Sequence, residues 1–342
     1  MHRVLPTAAL RPGWWAIALA ALSLHPLRET PPQDAAPIEG AATPARENLD
    51  PRAWLPVKEA LRFKVEVTVG PVRGLDVGKV LLECAQSPEF EDQPVEAAQA
   101  KTSRRPIGSI KTVASGGYLG YEVLHTIGVT WFVGLSPRIE WDETLRGSNC
   151  SARTIRIGEI EGQWKIEYRK DRHCKGCKNK KHFVDGLMPW SDAKHCNDCE
   201  RPEHRVWRDY KYLDVPPDSM DMVSALYFAR SFVRGGQPSL TLSLINQDEL
   251  WSVELQRGEE KTIETPAGDF ECVRVLIGPK LAAGEGMGPE ASERFEALFG
   301  LHGNISLWVD KAGAFPVRIE GKAPFGPLDV AIKASLIDRD GG

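Results

Sequence analysis

The chain has 342 residues, of which 42% are apolar and 26% charged, a composition that excludes a wholly disordered or fibrous protein. Lys and Arg total 43 against 47 Asp and Glu, so the formal charge of −4 gives no sequence-wide reason to expect a nucleic-acid partner. Ten Trp are many for this length and suit either a core or a ligand cleft.

Two arginines, Arg3 and Arg11, precede an apolar run from Trp14 to Leu24 that Pro26 and Arg28 break. Such a run is too short for the roughly 20 residues that cross a bilayer, and a basic start with a short apolar middle reads as a signal peptide over 1–24. Residues 25–52, rich in Pro, Ala and Glu, lack the large apolar side chains that offset ordering entropy and read as a flexible linker. No later stretch is long and apolar enough for a helical membrane span. The expectation is an exported protein of the periplasm or cell envelope.

From residue 53 onward the pattern is strand-like. Leu61, Phe63, Val65, Val67 and Val69 share one face while Arg62, Lys64, Glu66 and Thr68 take the other. The same alternation returns at Leu240-Leu242-Leu244, Trp251-Val253-Leu255 and Leu328 to Leu336, as antiparallel strands with one wet face require. Further strands are predicted near 78–84, 110–116, 119–125, 136–143, 153–159, 163–169, 205–213, 259–264, 269–277, 304–310 and 314–321, with turns at Gly116-Gly117, Asn246-Gln247-Asp248 and Ala312-Gly313. Gly74 to Lys79 lacks the Ser/Thr of a phosphate loop, Val80 standing in its place, and reads as a hairpin turn. So many strands without alternating helices predict a mainly β fold, an antiparallel barrel-like or strongly curved sheet. One packed helix is predicted over 219–233, capped by Asp218 or Ser219, and a shorter one within 289–301. Glu140, Asp142 and Glu143 read as a solvated strand edge.

Between residues 171 and 209 lies a small cysteine-rich insert. Cys174-x-x-Cys177 and Cys196-x-x-Cys199 are separated by 18 residues, the spacing at which two knuckles supply four thiolates to tetrahedral Zn²⁺. His173-Cys174-x-x-Cys177-x4-His182 recurs 22 residues later as His195-Cys196-x-x-Cys199-x4-His204, so the insert looks doubled, and His182 or His204 are alternate ligands. A structural zinc site is the first reading; disulfides, which an oxidising compartment favours, and a redox or catalytic-metal role stay open. Covalent haem is excluded because Lys178 and Glu200 occupy the places of its histidines. Cys84 and Cys272 fall in predicted strands and read as buried thiols.

Three blocks carry a family resemblance: Asp221-x-x-Ser224-Ala225-Leu226-Tyr227-x-x-Arg230, Thr265-Pro266-Ala267-Gly268-x-Phe270, and Leu307-Trp308-Val309-Asp310 with Phe315-Pro316-Val317-Arg318. In order and spacing they resemble the bacterial envelope family called domain of unknown function 3108, over 55–342 apart from the insert. The resemblance implies an exported, barrel-like protein and brings no catalytic residues with it.

No Gly-x-Ser-x-Gly elbow and no His-Glu-x-x-His motif occurs. Within the helix block, Asp221, Tyr227 and Arg230 read as a cap or ion pair before they read as catalytic. The leading expectation is a noncatalytic envelope protein that holds a lipid or other apolar small molecule in its curved sheet. Leu226, Phe295, Leu298 and Phe299 would line the cleft, and the helix within 289–301 would serve as a movable cover. A metal-dependent hydrolase, or a scaffold docking a protein partner through the insert, is the alternative.

Overall fold

The computed structural model describes residues 51–87, 105–118, 121–133, 138–147, 151–174, 205–280, 295, 298–325 and 328–341. The predicted signal segment 1–24, residues 25–50 of the predicted linker and residues 175–204 of the predicted insert lie outside them, whereas Pro51 and Arg52, at the end of that linker, open a short helix.

Nearly everything described is strand. A short helix α1 (Pro51–Trp54) leads into an antiparallel meander: β1 (Lys58–Val69), β2 (Val72–Gln86), β3 (Arg105–Tyr118), β4 (Tyr121–Val133), β5 (Arg138–Gly147), β6 (Ser151–Ile160) and β7 (Gln163–Cys174). After the insert come β8 (Arg205–Trp207) and β9 (Lys211–Asp214), both paired with β7, then β10 (Met220–Asp221) and the helix α2 (Met222–Gly235). A second meander follows: β11 (Ser239–Asn246), β12 (Glu249–Thr265), β13 (Gly268–Lys280), β14 (His302–Asp310), β15 (Pro316–Phe325) and β16 (Leu328–Gly341). β16 pairs with β1, which joins the two meanders into one 16-stranded sheet. Among the described residues the sheet does not close: β10 ends one edge, and β8 and β9 the other. The predicted mainly β, strongly curved sheet is therefore what the chain forms.

Curvature follows from the helix. Residues 222–230 of α2 are all buried, so α2 is a core helix and not a surface one. It packs against α1, which itself rests on β3, and reaches Glu59 of β1 through Arg230; on the other side it packs against β10 and against β11 and β13 of the second meander. A single helix touches both halves only if the sheet curls round it. Trp54 of α1 fixes the junction, its ring edge-on to Trp131 at 5.4 Å and to Phe228 at 6.3 Å.

The ends of α2 are chemically defined. Asp221, not Asp218 or Ser219, is the N-cap: its carboxylate accepts from the Val223 and Ser224 amides, each at 2.9 Å, and from the Ser224 hydroxyl. The predicted start was early because Met220 and Asp221 first make a parallel bridge to β11. Gly236, at φ +66°, ends the helix in the left-handed region, and the Arg257 guanidinium donates to the Val233 carbonyl at 3.1 Å.

Other boundaries move for identifiable reasons. Gly74 to Lys79 is strand, not turn, and Gly116-Gly117 lies inside β3. Gly78 and Gly116 face each other across β2 and β3, where a Cβ on either would fall 2.3 Å from a carbonyl oxygen opposite. Both glycines thus serve backbone approach, and the turn of the first hairpin sits at Gly70-Pro71. The stretches predicted at 251–255 and 259–264 are one strand, β12, with a register shift between Arg257 and Glu260. The stretch predicted at 205–213 divides into β8 and β9. From the short C-terminal helix, only residue 295 and the 3-10 turn Leu298–Gly300 are described.

Candidate functional site

Strand registers arrange the inner face of the first meander in rows. Glu59, Cys84, Ile110, Val129, Trp141, Ile155 and Tyr168 lie side by side across β1 to β7. The next row is Leu61, Leu82, Thr112, Ile127, Glu143 and Arg153, and beyond it come Phe63, Val80, Ala114, His125 and Leu145. Polar groups therefore enter an otherwise apolar surface at two places.

The first is against α2. Glu59 is buried and accepts hydrogen bonds from both η nitrogens of Arg230, one of them at 3.4 Å. From β16, Arg339 reaches the same carboxylate at 3.2 Å and lies over the Phe315 ring at 4.0 Å. Arg230 and Arg234 also donate to the Gly313 carbonyl, at 3.4 Å each, Arg230 lies over the Tyr227 ring at 5.9 Å, and the Asp310 carboxylate accepts from the Gly313 amide at 2.5 Å. β1, β16, α2 and the β14–β15 turn are thus held by one buried ionic group, the structural ion pair expected of Arg230. Beside it, burial pushes the Cys84 thiol up to about 12 and raises the Tyr227 hydroxyl, its neighbour, well above the ordinary tyrosine range. Burial likewise lifts Cys272, on β13, to about 12. Neither cysteine is a nucleophile in that state.

The second place is Glu143. Alternation puts it on the inner face with Ile139 and Trp141, so it is buried, while Asp142 is exposed and Glu140 pairs with Arg138. The predicted solvated edge is thereby corrected: three neighbouring carboxylates on a strand cannot share a face. Glu143 accepts from His125 Nε2 at 2.7 Å, from Arg153 Nη2 at 2.6 Å and Nε, and from Trp141 Nε1 at 3.3 Å. Burial pushes its carboxyl up, but the His125 hydrogen bond and the Arg153 charge overcome this and hold it near 2. His125 and Arg153 are partly exposed, with 16% and 22% of their side chains accessible. Parity along β5 was the sequence signal that marks Glu143 as inward.

At this end the inner face is less covered. Val65, Val67, Ala114, Val123, His125 and Leu145 are only half-buried, whereas Leu61, Phe63 and Leu82 are fully enclosed. On the second meander Phe295 is buried with its ring edge-on to Trp251 at 5.1 Å, and Leu301 covers Gly321, while Leu240, Ile277 and Ile332 are half-buried.

Of the predicted cleft residues, Leu226 is buried in α2, Phe295 is buried and Leu298 packs partly against the core. Phe299 falls in the 3-10 turn. Of the predicted metal ligands, Cys174 ends β7, its Cα opposite that of Arg205, and the others (Cys177, His182, Cys196, Cys199 and His204) lie outside the described residues, as does Cys150. The two ends of the insert are held together by a buried pair, Arg205 to Asp171 at 2.6 Å, with Asp171 also accepting from the Ala152 amide at 2.8 Å.

Residues 199–333 match the family described as protein of unknown function (DUF3108). The match contains all three sequence blocks and supports the family for the C-terminal part of the chain, a shorter span than 55–342. A crystal structure of a β-barrel-like protein of domain of unknown function DUF1849 from Brucella abortus has 10% identity and a TM-score of 0.47, covering 85% of this chain and 100% of its own. A protein of YmcC-like fold from Bacteroides fragilis has 11% identity and a TM-score of 0.25, covering 84% and 98%. No curated protein matches the chain. Among the described residues no helix is long and apolar enough to cross a membrane.

Proposed function

We propose that this is an exported cell-envelope protein that binds an amphipathic small molecule without transforming it, on the inner face of its first meander. The observation that carries this reading is a half-open apolar patch: Val67, Val123 and Leu145 are half-buried beside the polar group of Glu143, whereas Leu61, Phe63 and Leu82 in the neighbouring rows are fully enclosed. A soluble fold covers such a surface or uses it. The buried ionisable groups support binding over reaction. Glu143 is fixed as a carboxylate near 2 and Cys84 and Cys272 as thiols near 12, far from the poise that acid–base or thiolate chemistry needs. Export is supported by the basic start and short apolar run of the first 24 residues.

The test is tryptophan fluorescence during titration with single-chain amphiphiles, since Trp131, Trp141 and Trp164 sit in this half of the sheet. Saturable binding that Leu145→Asp abolishes without loss of the folded spectrum is the expected result. Titrations without a saturable change would overturn the reading. The inward-packed Phe295 and Leu301 belong to the same proposal as part of the wall of the second half.

Within the insert we propose one structural Zn²⁺ held by Cys174, Cys177, Cys196 and Cys199. Its support is the doubled spacing and the closed base, where the β7–β8 pairing and the Asp171–Arg205 pair bring the ends of the segment together.

A further inference from the structure

We infer that the ligand of the inner face carries an uncharged, hydroxyl-bearing head group, recognised by His125 and Thr112 beside the Glu143–Arg153 pair. This rests on the binding reading above and adds the chemistry of the head.

Charge comes first. Glu143 and Arg153 face each other directly across β5 and β6 and share two hydrogen bonds, so their charges cancel locally. A carboxylate or phosphate head would meet a fixed anion, Glu143, with its matching cation already engaged. An ammonium head would meet Arg153. A neutral head meets neither cost.

Hydrogen bonding then narrows the choice. Glu143 is ionised and only accepts, so His125 Nε2 must carry the proton it donates at 2.7 Å. In the neutral imidazole this leaves Nδ1 as an acceptor, on a side chain that is partly exposed. Thr112 lies on β3 diagonally across from His125, because Thr112 faces Ile127 and Ala114 faces His125. Its side chain is fully enclosed, yet its hydroxyl has no hydrogen-bond partner among the described residues. A buried hydroxyl without a partner is costly, and native proteins rarely keep one without a use. An acceptor at Nδ1 and a hydroxyl at Thr112 together match a ligand hydroxyl, which donates to the first and, once the side chains that enclose Thr112 shift to admit it, exchanges a hydrogen bond with the second. The half-buried apolar residues Val65, Ala114, Val123 and Leu145 would take the first carbons of the chain.

The experiment compares monolaurin, methyl laurate and laurate, which share one chain and differ in the head. Monolaurin is expected to bind about tenfold more tightly than methyl laurate and than laurate, the usual value of one or two desolvated hydrogen bonds. Thr112→Val should reduce monolaurin to the methyl laurate level and leave methyl laurate binding unchanged. The same variant should melt no lower than the wild type, since it removes an unpartnered hydroxyl. Laurate binding as tightly as monolaurin, or a Thr112→Val variant with unchanged monolaurin affinity, would overturn the head-group inference while leaving the binding reading intact. If none of the three binds, the binding reading itself falls.

Discussion

The buried carboxylate of Glu59 makes a sharp mechanical claim, because two arginines from distant parts of the chain depend on it. Replacing Glu59 with Leu leaves Arg230, which is 3% exposed, with no anion among the described residues, only a distant carbonyl at 3.4 Å and the Tyr227 ring at 5.9 Å. Breaking a buried pair in this one-sided way costs about 3–5 kcal/mol, a large part of the roughly 5–15 kcal/mol by which a domain is stable. Arg339 sits at the rim, 29% exposed, so Arg339→Ala should cost about 1 kcal/mol. The double variant Glu59→Leu with Arg230→Met removes both charges and should recover most of the loss, since well-packed apolar replacements of a buried pair are often neutral. Urea titration followed by tryptophan fluorescence separates these cases. A Glu59→Leu variant within about 1 kcal/mol of the wild type, or a double variant no better than the single one, would show that the pair is not the uncompensated buried charge inferred here.

Glu143 gives the protein an acid limb. Its folded value, near 2, lies below the ordinary 4.5, so its contribution is complete above the unfolded value and is lost as pH falls through about 2. The gap corresponds to about 3 kcal/mol, and Glu143→Gln should flatten stability between pH 5 and 2; an unaltered acid limb in that variant would refute the assignment. Cys84 and Cys272 should resist iodoacetamide at pH 8 in the folded protein and react once urea exposes them, as peptide mapping of the two sites would reveal. Elemental analysis should find about one zinc per chain, and Cys174→Ser should abolish it; a metal-free protein with these cysteines oxidised would establish disulfides instead.

Alternation made most of the fold legible. Leu61 to Val69 and Leu328 to Leu336 could be read as strands from period two alone, but not that they pair with each other, since that contact joins the two ends of the chain. Local turn chemistry misled where a glycine serves another purpose: Gly78 and Gly116 permit two backbones to approach and mark no turn. At Asp221 the correct cap stood past both expected ones, Asp218 and Ser219, because a strand bridge precedes the helix. The site was half legible. Arg230 was legible in the helix block as one side of an ion pair, whereas Glu59 looked like one more charged residue at a strand start. Glu143 was misplaced by counting acids as a cluster; its parity with Trp141 pointed inward all along. Thr112 carried no signal, because an unpartnered hydroxyl is a property of its neighbours on β2 and β4 and not of its own sequence context.

Native mass spectrometry of the protein purified from its own host, without detergent or added lipid, probes the binding role most directly. The expected spectrum contains a species heavier than the metal-loaded polypeptide by one small amphiphile, which collisional activation releases and Leu145→Asp eliminates. A spectrum with only the polypeptide and its metal, from protein that also fails to take up monolaurin afterwards, would contradict the binding role.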